Sequence, residues 1–188
     1  SKGVKNKNII NFNGKPLIGH AIDVCKKSKY IEKVIVSTDS EEIAQIAKSY
    51  GAEVPFLRPT NLATDQSPEV LSWKNIVEYY QKTDNFEVFV SIPTVCPLRK
   101  VEDLDGAIKK FLEKEPELLI TSTKAKKSPY FNIFKKIDDD NVVIFDKSES
   151  QNVNRQYFEN KVVENTNICY ISTPKRIMEI NNNNIFSD

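Results

Sequence analysis

A single histidine, His20, serves the whole of this 188-residue chain. Ser-His catalysis or a histidine-built metal cluster would therefore rest on one side chain, and that side chain lies in a helical pattern that gives it a structural role. Cysteine is also scarce. Cys25, Cys96 and Cys169 are odd in number, far apart and outside any C-x-x-C spacing, so they read as buried thiols in a reducing compartment rather than a disulfide frame or zinc site. Neither charge sign dominates: 27 Lys and Arg against 26 Asp and Glu leave a formal +1, and no global field favours nucleic acid or a membrane. No apolar run approaches the roughly 20 residues of a transmembrane helix, and nothing resembles a signal peptide, so the expected location is cytoplasmic. No G-x-G-x-x-G follows a strand pattern, which argues against a dinucleotide-dependent dehydrogenase. Internal repeats are absent. With no initiator methionine, no strand pattern ahead of the first loop and a polar run at 181–188, the chain reads as an incomplete domain.

What is present begins with Ser1-Lys2-Gly3-Val4-Lys5-Asn6-Lys7-Asn8, three lysines, two asparagines and a glycine just ahead of Ile9-Ile10-Asn11-Phe12. Cations aimed one way beside free backbone N–H groups suit phosphate, and a solvated tail is the bland alternative. Behind it, strand and helix patterns alternate. Residues 16–28 carry a helical apolar stripe opened by Pro16, and 33–38 form a β-branched run. The segment 39–42 reads as an N-cap with Asp39 and an acidic first turn for a helix through Tyr50, closed by Gly51. A strand at 52–57, a polar loop at 58–67, a helix from Glu69 to about Lys82, a strand at 87–92, a helix at 101–114 and a strand at 118–122 follow. This alternation predicts an α/β fold with an open, mostly parallel sheet.

The pattern breaks after residue 123. Two β runs, 131–137 and 142–145, flank Asp138-Asp139-Asp140-Asn141 as a hairpin turn. A core-like strand at 167–172 and a helix at 174–180 then resume. We read the chain as one domain over 1–188, interrupted by a hairpin-containing insertion at 124–165.

Ligands of such sheets bind beyond the carboxyl ends of strands. That selects the opening loop, Ser37-Thr38-Asp39, the loop 58–67 and the turn 93–99. Asp39 is already accounted for as a helix cap. Arg58 with small polar residues at 63–67 either reads a base edge or grips a phosphate, in a loop long enough to be functional. Pro93 and Pro97 stiffen the last turn, which is either a rigid connection or a binding segment. Asp103 and Asp105 are about 200° apart around a helix and cannot share an ion, and Asp138 and Asp140 are explained by the hairpin turn.

Together these loops resemble the acylneuraminate cytidylyltransferases, which make CMP-activated nonulosonic acids. Ser1-Lys2-Gly3 and Lys7-Asn8 match the second half of the family's A-R-G-G-S-K-G-x-x-x-K-N loop, and Asn13-Gly14-Lys15-Pro16-Leu17-Ile18 matches its N-G-K-P-L-I. Val36-Ser37-Thr38-Asp39 matches V-S-T-D. Leu57-Arg58-Pro59 through Leu62-Ala63-Thr64-Asp65 matches L-R-P-x-x-L-A-x-D. Cys96-Pro97-Leu98-Arg99 corresponds to S-P-L-R, Arg155-Gln156 to the insertion's R-Q, and 169–174 to the returning strand.

The resemblance implies a Rossmann-like sheet of the nucleotide-diphospho-sugar transferase type. It also implies transfer of CMP from CTP to a nonulosonic acid with release of pyrophosphate. By matching position, Lys2 and Lys7 neutralise the phosphates as the catalytic cations, with Ser1 in the same nucleotide-binding loop, and Asn8 holds the ribose. Arg58, Thr64, Asp65 and Ser67 frame the cytosine. Thr94 and Arg99 border the sugar, and Arg155 meets the sugar carboxylate. The resemblance further implies a Mg²⁺ cofactor and a homodimer in which the insertion, with Tyr130, Phe131, Phe134, Phe145, Tyr157 and Phe158, reaches a second subunit.

Two departures bear on substrate. Pro93 stands where relatives carry a glutamine associated with the sugar, and Asn154 replaces the first arginine of R-R-Q. The D-x-D that binds magnesium in the family has no counterpart among the 188 residues. A non-catalytic nucleotide- or sugar-binding module of the same fold is the alternative reading.

Overall fold

A computed structural model describes residues 4, 6–64, 66–130, 132–146, 162–180 and 185. Its first regular element is a 3₁₀ turn over Lys7–Ile9, followed by the short antiparallel pair β1 (Asn11–Phe12) and β2 (Lys15–Pro16). Asn13 and Gly14 join them with φ of 49° and 84°, the left-handed conformation that an Asn-Gly hairpin turn requires. The turn is fastened by the Gly14 N–H, which donates to Asn11 Oδ1 at 2.9 Å.

Helix α1 (Leu17–Lys27) buries the stripe Ile18, Ala21, Ile22 and Cys25. It packs against α2 (Glu41–Ser49) closely enough that a Cβ on Gly19 would lie 2.8 Å from the Tyr50 ring. Ile18, Ile22, Ala47 and Ala52 form one core cluster here, with Val34 and Val36 against it. Each large aliphatic side chain so buried contributes about 1.5–3 kcal/mol.

The remaining helices are α3 (Glu69–Tyr80), α4 (Val101–Lys114) and α5 (Pro174–Glu179). The strands β3 (Phe89–Ser91), β4 (Leu118–Lys124) and β7 (Val163–Ser172) form a sheet in the order β3-β7-β4. The period of two in β7 serves two cores at once. Cys169 and Ile171 join Leu104, Ile108 and Phe111 of α4, whereas Tyr170 joins Val70, Trp73 and Val77 of α3 and Ile177 of α5. The carboxyl half of β7 is therefore apolar on both faces and sandwiched by helices, which is the α/β layering expected.

Strand pairing departs from the mostly parallel sheet that alternation predicts. β3 pairs with β7 antiparallel, in the register Phe89↔Ser172 and Ser91↔Tyr170. A parallel component is the bridge Ile35↔Glu53, supported by Val36 N–H to the Glu53 carbonyl at 2.9 Å and Glu53 N–H to the Val34 carbonyl at 2.8 Å. The reason is connectivity. Parallel neighbours need a crossover that returns the chain to the same end, whereas β7 enters the sheet from the segment that interrupts the alternation.

The chain divides into two compact units, one of residues 1–120 and 167–188, the other of residues 121–166. Inside the second unit, β5 (Phe134–Lys136) and β6 (Val142–Ile144) pair antiparallel as a hairpin. Asp138 organises its turn: Oδ1 accepts from the N–H groups of Asp140 and Asn141 at 3.0 and 2.9 Å. These bonds, with that from the Asn141 side chain, hold its carboxyl below the ordinary aspartate pKa.

Candidate active site

Two polar clusters lie at the carboxyl ends of the strand segments, both within the first unit, and β3 links them. The first joins the opening loop to the turn after β3. Thr94 Oγ1 donates to Asn8 Oδ1 at 2.8 Å. Lys7 and Asn8 are half-buried in the 3₁₀ turn that follows the left-handed Asn6. Ser1 and Lys2 lie outside the described residues.

The second cluster is built around Arg58. Its backbone N–H donates to the Thr38 carbonyl at 2.8 Å, which ties the end of 52–57 to the end of 33–38. Its guanidinium donates from Nη1 to Ser72 Oγ at 3.0 Å and faces Asp39 across 3.8 Å. The Asp39 assignment is thereby corrected. Ser40, not Asp39, caps α2, accepting from the Ile43 N–H at 3.3 Å. Standing one residue earlier, the Asp39 carboxylate turns to the arginine instead. Arg58 Nε and Ser37 Oγ are buried with no hydrogen-bond partner among the described residues, so the cluster holds polar capacity that the protein itself does not use.

Thr64 and Ser67 stand at the entry to α3, their hydroxyls 2.7 Å apart, and Ser67 Oγ also donates to the Asn61 carbonyl at 3.0 Å. Asp65 between them is outside the described residues, as is Arg155.

Arg99 is only 6% exposed. Its Nη2 donates to the carbonyls of Pro93 and Asn167 at 2.6 and 3.1 Å, clamping the 93–99 turn to the middle of β7. Nε and Nη1 are buried without a partner among the described residues. Burial pushes its pKa below the usual arginine value, opposed by the neighbouring thiols of Cys96, Cys25 and Cys169. The same burial raises the Cys25 and Cys169 thiols to about 11. All three cysteines are free.

One member of the second cluster escaped the sequence reading. Glu69 opens α3, and its carboxyl shares surroundings with Trp73, Ser91 and Arg58. The protein packed around it raises its pKa, while hydrogen bonding from Trp73 and Ser91 and the Arg58 charge pull the other way. The available signal was helical spacing: Glu69, Ser72 and Trp73 stand at i, i+3 and i+4, on one face. Nothing in the sequence says that this face meets Arg58.

His20 has the structural role expected of it. Its Nε2 meets the Phe12 carbonyl at 2.7 Å and its ring packs edge-on against Phe12. An open groove of about 510 Å³ lies apart from the clusters, lined by residues including Lys33, Glu53, Tyr80 and Asp84. Its polar groups pair with one another, Tyr80 donating to Glu53 at 2.8 Å and Lys33 meeting Asp84 at 2.7 Å, so they leave little for a ligand. Among the described residues no three His, Cys, Asp or Glu side chains converge as metal ligands, and no helix is long and apolar enough to cross a membrane.

Asn8 of the opening loop thus meets the proline-stiffened turn through Thr94, and Arg58 stands where two strand segments end. The family described as cytidylyltransferase matches residues 1–180. The chain belongs to that family. This cytidylyltransferase is accordingly a nucleotidyltransferase. It is 35% identical to the post-translational flagellin modification protein B of Campylobacter coli, over 99% of this chain and 77% of that one. It is 32% identical to the pseudaminic acid cytidylyltransferase of Campylobacter jejuni subsp. jejuni serotype O:2, over 84% of this chain and 69% of the relative. In fold the cytidylyltransferase resembles a CMP:2-keto-3-deoxy-manno-octonic acid synthetase solved with CTP, at a TM-score of 0.63 and 12% identity, covering 94% of this chain and 70% of that one. At that identity the likeness speaks for the α/β fold alone.

Proposed function

We propose that this cytidylyltransferase transfers CMP from CTP to the anomeric hydroxyl of a nonulosonic acid. The hydroxyl oxygen forms a bond to the α-phosphorus, the α–β anhydride bond breaks and pyrophosphate leaves. The obstacle is charge, because the nucleophile must approach a polyanion, so catalysis is largely positioning and cationic stabilisation. Lys2 and Lys7 take the phosphates, with Ser1 beside them, and Asn8 takes the ribose. Arg58, Thr64, Asp65 and Ser67 frame the cytosine, Thr94 and Arg99 border the sugar, and Arg155 meets its carboxylate. The observation that supports this reading most is the Asn8–Thr94 hydrogen bond, which joins the nucleotide-side loop to the sugar-side turn. For Arg99, the buried clamp on Pro93 and Asn167 favours shaping that turn over direct contact.

The proposal includes a Mg²⁺ requirement. The described residues offer no group of three His, Cys, Asp or Glu ligands for such an ion. A parallel-stranded core beyond the Ile35↔Glu53 bridge, a homodimer and a cytoplasmic location belong to the same reading. The dimer is supported by the exposed apolar side chains of the hairpin: Phe134, Val142 and Phe145 are 53%, 60% and 63% exposed.

Pyrophosphate release from CTP should be measured with neuraminic, legionaminic and pseudaminic acids in turn. Release should need CTP and one of these acids together, and stop with a chelator. Equal turnover with ATP, or none with any such acid, would refute the transfer. Tight CTP binding without release would instead favour the non-catalytic module.

A further inference from the structure

Resting on the CTP chemistry just proposed, we infer that Glu69 selects the nucleobase. Its carboxylate accepts from the exocyclic amine of cytosine, while the Arg58 guanidinium, held toward the same helix face by Ser72, donates to a ring acceptor on the same edge. Three observations place these groups together. Ser72, one turn along the face that Glu69 opens, accepts from Arg58 Nη1 at 3.0 Å, so that face of α3 is turned to the arginine. The Arg58 side chain is 23% exposed and faces Asp39 across 3.8 Å at the same strand end, so part of its guanidinium stays open to a ligand. Ser91, the last residue of β3, and Trp73, four along from Glu69, both hydrogen-bond to the Glu69 carboxyl and favour its ionised form.

A carboxylate has about four acceptor positions, so the bonds from Ser91 and Trp73 leave capacity for a base. Cytosine presents an amine donor beside ring acceptors, and acidic side chains accept from that amine. Uracil carries a carbonyl oxygen in place of the amine, and that oxygen would face the Glu69 carboxylate lone pair to lone pair. Sites built around a substrate's hydrogen-bonding group reject the analogue lacking it far more strongly than apolar pockets do, because the site's own group is left unpaired. The same pairing therefore attracts one base and repels the other. If Glu69 merely complemented the dipole of α3, neutralising it would change stability and leave base choice unaltered.

The test is calorimetric titration of CTP and UTP into the protein with no sugar acid present, for wild type and Glu69→Gln, with thermal melts to verify folding. Wild type should prefer CTP. Glu69→Gln, whose amide can donate to the uracil oxygen, should lower the CTP:UTP affinity ratio at least tenfold, with UTP binding strengthened. If that variant does not fold, Glu69→Asp, which withdraws the charge by one methylene, should lower the ratio too. A ratio within threefold of wild type in a folded variant, or a wild type indifferent to base, overturns the inference. Selective CTP binding without pyrophosphate release from any acid refutes the transfer and leaves this inference standing. Turnover with unaltered selectivity in Glu69→Gln does the reverse.

Discussion

Lys7 is where the chemistry of the opening loop is most exposed to test. It is half-buried at the start of the 3₁₀ turn, whose geometry is held by main-chain bonds from Ile9 to Asn6 and from Ile10 to Lys7. Its cation is therefore carried on a fixed backbone rather than a tail. Lys7→Ala should lower turnover by roughly a hundredfold, the scale for losing one preorganised electrostatic contact, with a melting temperature close to wild type. Steady-state kinetics on the folded variant check this, and near-normal turnover would return the loop to a solvated role. The sequence singles out this loop because its lysines stand beside asparagine and glycine, a composition that also fits a solvated tail. Asp39 was not legible. Its position before a helix explained it locally, and only the approach of the next strand end shows that it serves Arg58.

Among elements, α2 shows how local chemistry sets the site. Ser40 accepts from the Ile43 N–H, Glu41 and Glu42 occupy the positive end of the helix and Lys48 the negative end. Capping starts the helix directly after Thr38 and Asp39, so those two residues are held at the strand end that Arg58 contacts. Ser40→Ala should destabilise the protein by about 1 kcal/mol, measured by urea denaturation. It should also weaken CTP binding by loosening Asp39, an effect Glu41→Gln should not share. Helices were the best-read elements: the apolar stripe of α1 predicted its buried face, because a 3.6-residue period leaves few alternatives. Strands were read less well. The runs at 33–38 and 52–57 are extended, but among the described residues they share one formal bridge, since β pairing depends on a partner that a local pattern cannot name.

At the scale of the molecule, the second unit poses the question of assembly. Its hairpin β5–β6 leaves Phe134, Val142 and Phe145 largely in solvent, and a two-stranded hairpin is marginal in water unless a face is covered. In the proposed homodimer that cover comes from a second copy through twofold contact. Sedimentation at tens of micromolar should give a dimer, and Phe134→Lys with Phe145→Lys should shift it toward monomer without unfolding the first unit. A wild-type monomer with full transfer activity would refute the dimer.

What the residues determined unaided is the α/β character, the positions of the helices, the hairpin at Asp138 and the family, because periodicity, capping and motif spacing are local properties of the chain. What only the tertiary structure decided is how strand ends meet. β7 pairs with β3 antiparallel, Arg99 turns inward to the Pro93 and Asn167 carbonyls, and Glu69 stands beside Arg58. Each depends on a contact between residues tens of positions apart or on the direction a side chain faces once two elements have packed. Those choices are made as apolar faces of different elements are buried together, and a local pattern does not say which way a side chain then faces.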